Sequence, residues 1–133
     1  MKKVLFSFLI VLISLISYGC NFIEYEPSKI IVDSDTIQLE WDPPEVKSFD
    51  EGSTILYYRV YYRIHDVGRW VTLDIIPAQD HPKYEIHHSD FGNGAYDFAV
   101  RAVSASSRYS ALHSSLDPSA DPLGGWYVVW IRF

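Results

Sequence analysis

The sequence predicts an all-β sandwich, and three observations predict it. From Ser28 onward apolar residues recur with a period of two, the period of a half-buried strand. Segments rich in Val, Ile, Tyr, Phe and Trp are separated by Pro, Gly and Asp clusters that mark turns. No long segment of this body keeps the 3.6-residue spacing of an amphipathic helix. A length of 133 residues allows one domain and hardly two. Seven Gly and seven Pro exclude collagen-like and disordered compositions.

The chain begins with an address. Lys2 and Lys3 precede Val4 to Tyr18, an uncharged apolar run of 15 residues. Such a run is shorter than the roughly 20 residues that span a bilayer core. A basic start, a short apolar run and small residues before a cut define a secretory signal peptide. Ser17-Tyr18-Gly19-Cys20 resembles the lipobox of bacterial lipoproteins, where a Cys follows a small residue, is lipidated and becomes residue one. Gly19 fits that pattern, whereas Ser17 and Tyr18 depart from it. The alternative is ordinary cleavage after Gly19 with no lipid. The single cysteine of the chain stands at the position where lipidation would occur. An exported chain otherwise carries an unpaired thiol. The expected division is a lipoprotein signal peptide at 1–19, a lipidated Cys20 and tether at 20–27, and a sandwich at 28–133. Palmitate-type acyl chains on Cys20 would hold the protein to a membrane. Removal of 1–19 takes away two lysines and no acid, moving the formal charge from −6 to −8. The anchor would therefore owe nothing to attraction for anionic lipid.

The strands follow in order. Thr36–Trp41 alternates, with Ile37, Leu39 and Trp41 on one face, until Asp42-Pro43-Pro44 stops it. Ile55–Ile64 places Leu56, Tyr58, Val60, Tyr62 and Ile64 inward and Tyr57, Arg59, Tyr61 and Arg63 outward. Asp66-Val67-Gly68 turns the chain into Trp70–Ile76, which Pro77 is expected to end. Lys83–His88 is a short strand with Tyr84 and Ile86 inward, and Gly92-Asn93-Gly94 is the next turn. Ala95–Ser104 has Tyr96, Phe98, Val100 and Ala102 inward and Asp97 and Arg101 outward. A final strand-like segment runs from Gly125 to Phe133.

Three of these segments resemble a fibronectin type III domain over about Ser28 to Leu116. Trp41-Asp42-Pro43-Pro44 is similar to the core Trp and Pro turn of its second strand. Tyr58, Val60 and Tyr62 match its third strand. Tyr96, Val100, Ala102 and Val103 match its sixth. The resemblance implies an immunoglobulin-like sandwich of about seven strands in two antiparallel sheets. It also implies that Tyr96 is a tyrosine corner, its hydroxyl bonded to backbone a few residues upstream. Phe91-Gly92-Asn93-Gly94-Ala95 departs from the usual run before that Tyr, so Phe91 is expected to take the place of a core Leu. The segment beyond Leu116 is expected to complete the last strand after an insertion, because so apolar a strand would be a costly exposed edge.

The acidic balance, 17 acidic against 11 basic residues, excludes nucleic acid as a partner. One cysteine excludes a cysteine-based metal site. His87 and His88 would point to opposite faces of a strand, so the histidines are read as surface groups and no metal is expected. No Gly-x-Ser-x-Gly elbow, P-loop or dinucleotide fingerprint is present, and the chain is read as non-catalytic. The candidate binding face is Tyr57, Arg59, Tyr61, Arg63 and Arg101, because Tyr and Arg are enriched at binding hot spots. Cross-strand pairing of an Arg with Asp97 is the other reading of that face. Trp126 and Trp130 share a face and are the candidate aromatic contact for a sugar or partner, or else they fill the core. The expected function is a membrane-anchored, extracytoplasmic binding module for a protein or glycan of a bacterial cell envelope, the outer membrane favoured. It would use no cofactor beyond the covalent lipid. The alternatives are a structural accessory subunit of an envelope complex and, further off, a small secreted enzyme.

Overall fold

A computed structural model of the chain describes residues 2–6, 26–117 and 125–132. Cys20, most of the expected signal peptide and most of the tether lie outside these residues. The strands are β1 (Lys2–Phe6), β2 (Ser28–Val32), β3 (Thr36–Trp41), β4 (Ile55–Ile64), β5 (Val71–Pro77), β6 (Lys83–His87), β7 (Gly94–Ser104), β8 (His113–Ser114) and β9 (Trp126–Trp130). A 3₁₀ turn at Val46–Ser48 and one helical turn, α1 (His88–Phe91), are the helical elements among the described residues. The fold is therefore all-β, a sandwich of two sheets packed over one core.

The larger sheet runs β2-β9-β7-β4-β5, with β8 also on β7, and the smaller runs β1-β3-β6. Ile37, Leu39, Trp41 and Ile86 of the small sheet close on Tyr58, Val60, Phe98, Val100, Val128 and Trp130 of the large one. Trp41 meets Tyr58 edge to face across the layers at 5.4 Å between ring centroids. This core repeats the period-two pattern of β3, β4 and β7, since successive side chains of a strand point to opposite faces. Leu56 and Ile64, expected inward, are exposed at the two ends of β4.

The last strand is interrupted, as its sequence suggests. β8 pairs with Ala99 and Val100 of β7, and β9 pairs with Gly94, Ala95 and Tyr96 on the same edge. The Trp126 amide donates to the Ser115 carbonyl at 2.8 Å, so the strand resumes where it left off. β2 then covers the far edge of β9, which leaves no apolar edge open there. That pairing is parallel, as is β1 on β3, so the sheets are not wholly antiparallel as expected.

Two strand ends differ from the sequence reading. Pro77 is the last residue of β5 rather than its stop. β5 is the outer strand of its sheet, where a missing N–H costs no ladder bond. His88 belongs to α1, not to a strand, so the argument that His87 and His88 oppose each other on one strand does not apply. His88 instead reaches Asn93 Oδ1 at 2.7 Å and packs on Trp130.

The turn before β7 is a tyrosine corner. The Tyr96 hydroxyl lies 2.8 Å from the Phe91 carbonyl and 3.1 Å from that of Gly92, and donates its proton within this pair. Phe91 occupies the expected Leu position, touching Tyr62, Tyr96, Phe98 and Trp130. Gly94 is closely packed here: a β-carbon would stand 3.0 Å from the Tyr96 hydroxyl oxygen and 3.1 Å from its ring, so the Tyr96 side chain would have to shift by a few tenths of an ångström.

The backbone of Lys2–Phe6 runs along β3 from Ile37 to Trp41. No helix among the described residues is long and apolar enough to cross a membrane.

Candidate binding face

The outer face of the large sheet is built by β4 and β7, the two most extensively paired strands. Their register sets Arg59 directly opposite Arg101 and Arg63 opposite Asp97. On the other side of β4, Arg59 faces Ile75 and Tyr57 faces Pro77. Tyr57, Arg59, Tyr61, Arg63 and Arg101 are all half-buried, so the alternation read from the sequence places the five on one surface.

The structure divides them by partner. Arg63 is committed to the fold. Its Nε donates to Asp97 Oδ2 at 2.9 Å, and its guanidinium lies 4.4 Å from the centre of the Trp70 ring. Asp97 points away from the core, as expected, yet it has no exposed surface. It also accepts the amide of Asp66 at 2.9 Å and is hydrogen-bonded to His65 Nδ1 at 2.7 Å. His65 in turn stacks flat on Tyr127, ring centres 3.7 Å apart. Asp97 therefore pins the turn from β4 to β5, where Asp66 takes a left-handed φ of 55° that Asp tolerates.

Arg59 and Arg101 are held differently. Both guanidinium groups flank the ring of Tyr109, at 5.8 Å and 5.4 Å from its centre. The Nε of each is shielded from solvent and has no hydrogen-bond partner. Among the described residues no carboxylate lies within ion-pair distance of either. The neighbouring Tyr57 hydroxyl raises the Arg59 guanidinium's pKa above its ordinary value. Burial opposes the shift and Tyr61 reinforces it. Two like charges directly across a ladder repel, and here a half-exposed aromatic ring, not a counter-ion, stands against them.

Tyr109 is the member of this face that sequence reasoning missed. It lies in the serine-rich segment after β7 and is brought back by an isolated bridge to Val103. A lone aromatic in a polar loop is the signal that could have found it. The loop itself is tied by Asp50, which accepts Ser104 Oγ at 2.5 Å and also Ser106 Oγ. Those hydroxyls, Ser104 first, hold its carboxyl below the usual carboxylate value.

The other candidate contact is overturned. Trp126 and Trp130 face the core, at 5% and 0% exposure, because β9 completes the large sheet with Val128 between them. Trp130 Nε1 donates to the Ser34 carbonyl at 2.7 Å, which satisfies its one polar atom. Neither ring is available to stack on a sugar. Among the described residues no three His, Cys, Asp or Glu side chains converge on a metal position.

No known family model matches the sequence, and no curated protein matches it. Among solved structures the chain is similar to the twitchin kinase region from C. elegans (Fn31-NL-kin-CRD-Ig26). The similarity covers 77% of this chain at 19% identity and a TM-score of 0.43. This chain spans 19% of that one.

Proposed function

We propose that the chain is a lipid-anchored, non-catalytic binding module of a bacterial cell envelope, carried outside the cytoplasm on Cys20. Its working surface is the outer face of the large sheet at Tyr57, Arg59, Tyr61, Arg101 and Tyr109. The observation that carries the reading is the pair Arg59 and Arg101. In a chain of 17 acidic residues, these two cations sit side by side without a described carboxylate, while Arg63 and Arg132 are paired to Asp97 and Asp35. Tyr and Arg on a half-buried face supply large contact area with little entropy to lose, the pattern of a protein-binding hot spot. A protein partner is preferred over a neutral glycan, since both candidate Trp platforms are in the core.

Site-specific photocrosslinking tests this reading. A benzophenone side chain is placed at Tyr109 and, as a control, at Glu85, an exposed residue on the opposite sheet. In cells of the native organism, Tyr109 is expected to give one discrete crosslinked species and Glu85 none. Equal yields from both positions, or none from Tyr109, would overturn the assignment of this face.

A further inference from the structure

The geometry points to a ligand class for this face: we infer that Arg59 and Arg101 together receive a carboxylate from an acidic, partly apolar segment of a partner protein. The inference rests on the binding-face reading above and adds the chemistry of what binds.

Three observations support it. The first is charge. Directly opposed guanidinium groups repel, and a carboxylate placed between them removes the repulsion while satisfying planar donor forks. The second is the hydrogen-bond ledger. Each Arg keeps a buried Nε–H without an acceptor, so the fold does not saturate either guanidinium, and the half-buried ends of the two groups are the donors that a carboxylate meets. The third is the surroundings. Tyr109 and Ile75 beside the pair are 49% and 48% exposed, so the patch offers apolar area next to its cations. That mixture matches a peptide presenting an acid beside an apolar side chain better than a uniformly polar sulfated glycan.

The test uses the chain purified from membranes in detergent, with the Arg Nε–Hε resonances assigned. The probes are a peptide alternating glutamate and leucine, its glutamine counterpart, and a sulfated heparin disaccharide. Arg63, already bonded to Asp97, is the internal reference. With the glutamate peptide, the Arg59 and Arg101 resonances are expected to move together and saturably while Arg63 stays still. Affinity is expected to fall at least tenfold for the glutamine peptide. It should fall about as far in Arg59→Lys or Arg101→Lys, which keep the charge but lose the fork. Both variants are expected to keep the wild-type melting temperature, since neither Arg anchors the core. No shift at Arg59 and Arg101, equal binding of the glutamine peptide, or an equal shift at Arg63 would each overturn the carboxylate assignment. Tighter binding of the disaccharide would move the ligand to a sulfated glycan. A dimer that dissociates in the Lys variants would move it to a second copy of this chain. Either result also overturns the proposal. A discrete crosslink from Tyr109 that survives in Arg59→Gln/Arg101→Gln would leave the binding face standing and remove only its ligand class.

Discussion

Replacing Trp130 with alanine is expected to destabilise the fold by about 4 kcal/mol, the usual range for deleting a large buried aromatic. The side chain is fully buried, stacks on Phe91, meets His88 and donates to the Ser34 carbonyl. Its loss empties the space between β9 and the tyrosine corner and strands that carbonyl. Domains of this size hold only about 5–15 kcal/mol in all, so the melting midpoint should fall by roughly 15 °C or more. Trp130→Phe keeps most of the volume and should cost less than half as much. Calorimetry of the two variants checks this. A Trp130→Ala variant as stable as wild type would contradict the core assignment and return Trp130 to the list of ligand contacts.

Asp97→Asn carries the second largest expected effect, about 2–3 kcal/mol. The carboxylate is fully buried and takes donors from Arg63, His65 and the Asp66 amide. An amide of the same shape turns one acceptor oxygen into a donor and leaves the Arg63 cation without its counter-ion. Arg63 retains 21% side-chain exposure, so solvent recovers part of the loss and keeps the estimate below that for a fully buried pair. Denaturant unfolding should show a lower midpoint at unchanged slope. In a double-mutant cycle with Arg63→Gln the two losses should fall well short of adding. A loss under about 0.5 kcal/mol, the size of an ordinary surface change, would mean that Asp97 does not pin the turn.

These two residues show what was legible in the sequence. The alternation in Thr36–Trp41, Ile55–Ile64 and Gly94–Ser104 set out the core, because a strand with one dry face must write that face at every second position. The same rule named the Tyr57, Arg59, Tyr61 and Arg63 surface, and pairing of an unspecified Arg with Asp97 was one of its two readings. Which arginine was free was not legible. That depends on register between β4 and β7 and on where Tyr109 returns, both long-range facts. The burial of Asp97 was hidden for the same reason, since the side chains that cover it come from another strand and its turn. Trp126 and Trp130 share a face in any strand, and only the closing of β9 between β7 and β2 decides that the face is dry. α1 was missed because four residues are too few to show a helical period.

The proposal stands first on location, and one measurement reaches it directly. Wild type and Cys20→Ser are expressed from Met1 in a bacterial host, partitioned in detergent, and weighed intact. The account predicts that wild type enters the detergent phase with residues 1–19 removed and acyl mass added at Cys20, and that the variant does not. Wild type in the aqueous phase, at the mass of a chain cut after Gly19 and carrying a free thiol, would contradict it.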